Sequence, residues 1–306
     1  MSSAALVAGV SFFKLLTFGY ILLIFLTLGR GCSSAPTGMD AVDTSDPHLA
    51  VVELQGVISN DDVANAYDVN EALRDAFANS NSKAVALDIN SPGGSPVQSD
   101  EIWQTMMDLR QEYPDKKLYA VIGDIGASGA YYIASAADEI YVNPSSLVGS
   151  IGVIMPSYNV KGLMDKVGVE DRTITAGEYK DILSLSRPLT DYEENHVEKV
   201  LANTHKHFIN AVKEGRGDRL KNPEQNKLFS GLFWTGEQSI ELGLADKTGS
   251  ITSLSKQLDL DTIISYSPTD PFQMFMDRFA VKLGAGIGSS VSLDVLPQES
   301  NTGQMR

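Results

Sequence analysis

LAVVELQGVISNDDVANAYDVNEALRDAFANSNSKAVALDI, residues 49–89, is the stretch that decides the fold class. Its two ends, LAVVEL (Leu49–Leu54) and KAVALDI (Lys83–Ile89), are rich in β-branched and apolar residues and bounded by turn formers, which predicts strands. Between them Val63, Ala66, Val69, Leu73 and Phe77 recur at helical spacing over Asp61–Ala78. Strand, helix, strand in that order implies parallel pairing through a right-handed crossover. The alternation continues outward. Val97–Leu109 reads as helix, Leu118–Ile122 as strand and Ser128–Ala137 as a small-residue helix. Ile140–Val142, Ile151–Met155 and Arg172–Thr175 read as short strands. The longest helix is predicted over Thr190–Glu214, where Val197, Val200, Leu201, Thr204, Phe208 and Val212 form one apolar stripe. Together these predict an α/β domain over 48–260, with no internal repeat.

The ends of the chain differ from its middle. Ala4–Leu28 is apolar apart from Lys14 and a few small or polar residues. Its uncharged core, Leu15–Leu28, spans about 21 Å as a helix, short of the ~30 Å hydrocarbon layer. With Lys14 snorkelling to the interface, the stretch from Ala4 reaches across. No clean small-x-small site follows, so residues 1–30 are expected to be an uncleaved transmembrane helix rather than a signal peptide. Lys14 and the amino terminus are balanced by Arg30, which leaves the orientation signal weak. Residues 31–47 are rich in Ser, Thr, Pro, Gly and Asp and read as a linker. Over 261–306, Pro271–Leu283 has amphipathic helical spacing, and a Gly/Ser/Gln-rich tail follows that is expected to be mobile.

Composition excludes several function classes. The net charge of −15 repels phosphate, which argues against a nucleic-acid partner. A single cysteine, Cys32, excludes an intrachain disulfide and a cysteine-based zinc site. The Gly29-Arg30-Gly31 before it matches a lipid-attachment box poorly. No Walker-type phosphate loop or dinucleotide fingerprint occurs, and no metal site or cofactor is expected.

Three segments carry candidate chemistry. Asn90-Ser91-Pro92-Gly93-Gly94-Ser95 follows a predicted strand, and its two glycines allow a sharp turn that presents backbone amides, as an oxyanion hole requires. An ordinary strand-to-helix turn reads equally well. Gly123-Asp124-Ile125-Gly126-Ala127-Ser128-Gly129-Ala130 also follows a strand and leaves the Ser128 hydroxyl exposed at a tight turn; the competing reading is a helix-capping serine. Ala176-Gly177-Glu178-Tyr179-Lys180-Asp181-Ile182 supplies Lys180, either a base or a surface lysine. A lysine acts as a base only when neutral, which requires burial or neighbouring positive charge. The histidines offer less: His48 falls in the linker, while His196, His205 and His207 read as surface or boundary residues of the long helix.

In this order, the segments resemble the signal peptide peptidase A family of serine peptidases. The resemblance runs from about Val51 to Leu258. It rests on NSPGG (Asn90–Gly94), GDIGASGAYYIASAAD (Gly123–Asp138), VGSIGV (Val148–Val153), AGEYKDI (Ala176–Ile182) and TGEQSIELGLADKTGSI (Thr235–Ile251). It implies a spiral of ββα units like those of the Clp protease proteolytic subunit and the crotonases. It also implies Ser128 as nucleophile, Lys180 as general base and Ser150 as the residue orienting that lysine. The oxyanion hole would use the amides of Gly94 and Gly129, with Gly93 shaping the turn. Implied substrates are remnant signal peptides and other short or unfolded peptides. Longer family members carry two tandem copies, with base and nucleophile in different copies. A single copy therefore implies a ring-shaped homo-oligomer with the dyad shared between protomers. The implied location is the inner membrane, single-pass, with an extracytoplasmic catalytic domain. The rival readings are an acyl-CoA enzyme of crotonase type and a membrane scaffold without activity.

Overall fold

The β–α–β unit is present: β1 (His48–Ile58) and β2 (Ser82–Gly94) pair in parallel, with α1 (Ala66–Ala78) between them in sequence. The computed structural model describes residues 45–267 apart from Val63. All of these but Ser45 and Asp46 belong to one unit that starts at Pro47. The predicted anchor over 1–30, most of the linker and the segment from Pro271 lie outside the described residues. Among the described residues no helix is long and apolar enough to cross a membrane.

Helix α1 starts later than its apolar spacing predicts, because Asn65 caps it by accepting from the Asp68 amide. Next come α2 (Pro96–Glu112), β3 (Lys117–Ala127), α3 (Gly129–Ala134), β4 (Glu139–Val142) and β5 (Leu147–Gly149). The remainder comprises α4 (Lys161–Val167), α5 (Asp191–Arg216), β6 (Phe233–Thr235), α6 (Gly236–Glu241), β7 (Lys247–Thr248), α7 (Ile251–Gln257) and β8 (Thr262–Ser265). The sheet runs β6-β5-β3-β2-β1-β8, parallel except for the β5–β6 pair. It forks at β3, where Tyr119–Ile122 pair with β4 and Ile125–Ala127 pair with β5. The fork brings the end of β3 against the end of β5.

Both faces of the sheet are covered, so the strands read as nearly unbroken apolar runs. Ala50, Val52 and Leu54 face the larger core with α1, α2 and α3; Leu49 and Val51 face a smaller one with Tyr119, Tyr141 and Leu254. The Lys83–Ile89 prediction covers only the first part of β2, which continues through Gly94 in register with Ile58. Likewise β3 continues to Ala127, so both glycine-rich segments begin within strands rather than after them.

Two predicted strands are absent. Ile151–Met155 and Arg172–Thr175 carry no strand structure, because among the described residues no strand lies beside them to pair with; Ile174 is 97% exposed. The strand in the first region is β5, just before Ile151. His48 is not in the linker: it is the fully buried first residue of β1. Its ring stacks on Tyr266 and its Nε2 lies 2.9 Å from the Tyr266 hydroxyl. That clasp follows β8, which pairs with β1 beyond residue 260, the predicted end of the domain. The apolar stripe of α5 is buried only toward its C-terminal end, at Phe208 and Val212, whereas Val200 is exposed.

Candidate active site

Ser128 stands between the end of β3 and the first residue of α3, with φ 55° and ψ −125°. A non-glycine residue at positive φ is strained by about 1–3 kcal/mol and persists only where its surroundings hold it. Here its amide donates to Gly149 O at 2.8 Å, and its carbonyl accepts from the Tyr132 amide at 2.9 Å. Ser128 occupies the capping position of α3, yet its side chain makes no capping hydrogen bond. The helix-capping reading is therefore removed, and the hydroxyl is left for other chemistry.

The end of β2 lies directly against this turn. Gly93 has φ +95°, and a Cβ there would fall 2.6 Å from Gly129 N and 2.9 Å from Ser128 Cβ. A Cβ on Gly129 would collide with Ser99 Oγ and lie 3.3 Å from Gly94 N. Glycine at these positions lets the Gly94 and Gly129 amides converge beside Ser128. As the first residue of α3, Gly129 has no intrahelical acceptor for its N–H. Two such donors beside a hydroxyl can hold the oxyanion of an acyl-transfer intermediate.

Ser150 completes the cluster. It follows β5, has φ 51° and donates its amide to Leu232 O at 2.8 Å. Gly94, Ser128, Gly129 and Ser150 line one cleft of about 840 Å³. Of the residues singled out in sequence, five are thus assembled here, with Gly93 packed against Ser128 and Gly129.

Lys180 is not among the residues that line the cleft. It lies in a turn within the exposed segment 154–190, and its side chain has no hydrogen bond or ion pair among the described residues. Both of its neighbours, however, are anchored to the start of α5. Tyr179 stacks on Tyr192 with ring centroids 4.9 Å apart. Asp181 is gripped by Arg187 through contacts of 2.7 and 2.9 Å. Arg187 in turn grips the buried Glu193 at 2.6 and 2.8 Å. Hydrogen bonds from Arg187 and the Thr190 amide hold the Glu193 carboxyl down at about 2.

The cleft wall includes residues to which the sequence reading gave no role in the site, the α5 histidines having been read as surface or boundary residues. Asp100 of α2, Tyr132 of α3 and His205, His207 and Phe208 of α5 all contribute. His205 is half-buried and donates from Nε2 to Ile151 O at 3.1 Å. Among the described residues neither histidine hydrogen-bonds to the Ser128 hydroxyl. Tyr132 was findable, since it lies one turn after Ser128 on the same helix. The α5 residues were not, because only the tertiary return of α5 brings them here.

Comparison with known proteins places the chain in a family. The family profile described as Peptidase family S49 matches residues 110–264, just over half of the chain. A putative protease, MJ0651, of Methanocaldococcus jannaschii is 31% identical over 229 residues, covering 73% of this chain and 71% of that protein. A putative signal peptide peptidase SppA of Enterococcus faecium is 33% identical over 190 residues, covering 60% and 54%. A Brucella melitensis protein named Na(+)/H(+) antiporter NhaA is 40% identical over 228 residues, covering 72% of this chain but 30% of that protein. This chain spans less than a third of the antiporter-named protein and little over half of the Enterococcus one. The chain belongs to peptidase family S49, the signal peptide peptidase A family of serine peptidases.

Proposed function

We propose that this peptidase is a membrane-anchored serine endopeptidase in which Ser128 of one protomer is activated by Lys180 of a neighbour. The observation that carries the proposal is the separation of the two residues within one chain. Ser128 lies in the cleft beside two backbone amides, whereas Lys180 lies outside it, exposed and without a partner among the described residues, between two anchored neighbours. A segment held in this way presents its lysine outward rather than to its own serine. The exposed apolar surface fits a protein contact: Ile154 and Ile174 are 87% and 97% exposed, and Val200 of α5 is exposed too. Large exposed apolar patches mark such contacts. A ring of identical chains would cover this surface and bring each lysine into the next cleft.

The base role requires the lysine in its neutral form, which burial in the assembled site would favour. The lysine takes the Ser128 proton as the hydroxyl attacks the peptide carbonyl, and Ser150 orients it by hydrogen bonding. The Gly94 and Gly129 amides hold the oxyanion. The protonated lysine then gives its proton to the leaving amine, and water releases the acyl group by the same route. No cofactor takes part. Substrates are remnant signal peptides and other short or unfolded peptides delivered at the membrane, to which the apolar stretch within residues 1–30 tethers the domain.

A second reading has one observation in its favour: His205 lines the Ser128 cleft and Lys180 does not. Peptide hydrolysis by the full chain and by Ser128→Ala, Lys180→Ala and His205→Ala separates the two. The dyad requires the first two substitutions to abolish turnover while His205→Ala retains most of it. Turnover that survives Lys180→Ala and is lost in His205→Ala would replace the lysine with the histidine.

A further inference from the structure

The cleft that holds Ser128 also holds a carboxylate to which the proposed mechanism gives no task. Asp100 lies on α2, just past the Gly94 turn, and is half-buried in the cleft wall. Its two oxygens are fixed: Oδ1 accepts from the Tyr132 hydroxyl at 2.7 Å, and Oδ2 accepts from Gln104 Nε2 at 2.6 Å. Both donors are neutral, and among the described residues no lysine or arginine pairs with this carboxylate. A carboxylate has roughly four acceptor positions, so room remains for further donors. Tyr132 is itself held firmly. Its ring stacks on Phe208 at 5.0 Å and meets Trp103 edge-on at 6.2 Å. Burial and the Asp100 hydrogen bond raise its hydroxyl above the usual tyrosine range, so it stays a donor.

Beside Asp100 the cleft lining includes Pro96, Val97 and Phe208, with Ser99, Thr204, His205 and His207 among its polar members. A fixed, unpaired carboxylate at the side of such a groove suits an amphipathic cation. The methylene stem would lie along the apolar wall and the charged head would reach the carboxylate. We infer that Asp100 forms a cation-accepting subsite of this cleft, which selects peptides carrying a lysine or arginine near the scissile bond. This inference rests on the peptidase reading of the cleft and names a feature of its substrates.

The test uses matched peptides that differ at one position at a time, bearing lysine, norleucine or glutamate. Turnover by the full chain is compared with that of Asp100→Asn, which keeps the acceptor for Tyr132, and of Asp100→Lys. Only the ratio between peptides within each protein is read, so a general loss of activity or stability in a variant does not confound it. The expected result is one position at which lysine exceeds norleucine in kcat/KM by about tenfold or more, with glutamate worst. Asp100→Asn brings lysine and norleucine to within about twofold, and Asp100→Lys reverses the order of lysine and glutamate. Equal or apolar-favouring ratios at every position, or a ratio unchanged in Asp100→Asn, would overturn the inference. The same peptides are also titrated by fluorescence anisotropy against Ser128→Ala and against Ser128→Ala combined with Asp100→Asn. If no peptide is hydrolysed, the peptidase reading fails and these affinities decide the subsite alone. Tighter binding of the lysine peptide that depends on Asp100 supports it, and equal binding refutes it.

Discussion

Replacing Gly93 by alanine would perturb the proposed oxyanion hole while leaving the Ser128 hydroxyl and the Lys180 amine chemically intact. The new Cβ would lie 2.6 Å from Gly129 N, 2.8 Å from Ala127 O and 2.9 Å from Ser128 Cβ, where ordinary contacts begin at 3.4 Å. None of these neighbours is the end of a flexible side chain, so the turn itself must move by several tenths of an ångström. The positive φ adds about 1–2 kcal/mol of backbone strain for alanine. Losing one oxyanion donor lowers kcat by roughly 100- to 1000-fold. The substitution displaces Gly129 and Ser128 together, so a fall of at least that size is expected, with KM nearly unchanged. Steady-state hydrolysis of a fluorogenic peptide, paired with a thermal melt, reads both effects. Gly56→Ala is the control, because Gly56 has φ +83° but nothing within 4 Å of its added Cβ. It should lose stability by a similar strain and keep its kcat. A folded Gly93→Ala protein with kcat within threefold of the parent would refute the assignment of the Gly94 and Gly129 amides.

Two further outcomes follow from the same geometry. Ser128→Gly should abolish hydrolysis and yet stabilise the fold by about 1 kcal/mol, since strain of ~1–3 kcal/mol is relieved against ~0.5–1 kcal/mol of glycine entropy; a lowered melting temperature would contradict this. The Arg187 grip on Glu193 should be sensitive to acid. The folded carboxyl is held at about 2 against an ordinary 4.5, so its contribution is complete above 4.5 and fades as pH falls toward 2. Amide exchange across 176–193 should therefore accelerate in that window ahead of the β1–β2 core; uniform acceleration of both would argue against a local latch.

The sequence carries the order of elements well and their ends poorly. Leu49–Leu54 and Lys83–Ile89 announced β1 and β2, because strands buried on both faces need unbroken apolar runs. The extension of β2 through Pro92-Gly93-Gly94 was hidden, since proline and glycine ordinarily signal a turn. That extension is what carries the amides to Ser128. His48 read as linker because its partner, Tyr266, is distant in sequence and reaches it only when β8 pairs with β1. Ile151–Met155 and Arg172–Thr175 have strand-like composition but no strand partner among the described residues. Of the site, Gly93, Gly94, Ser128 and Gly129 were legible as motifs at strand ends, whereas Ser150 entered only through the family resemblance. Asp100 and His205 were not legible, because the wall they form depends on how α2 and α5 pack rather than on local pattern. The exposure of Lys180 matches the surface-lysine reading of its segment, and it extends over most of the segment 154–190.

The shared dyad is tested most directly by mixing. Full-length Ser128→Ala and Lys180→Ala chains are purified, each shown to be inactive, then dissociated and co-assembled, with mixed particles verified by orthogonal affinity tags. If Lys180 serves the neighbour's Ser128, pairing a Lys180→Ala cleft with a Ser128→Ala lysine restores intact sites, and a substantial fraction of parental hydrolysis returns. Mixed assemblies that remain inactive would place the dyad within one chain and contradict the account.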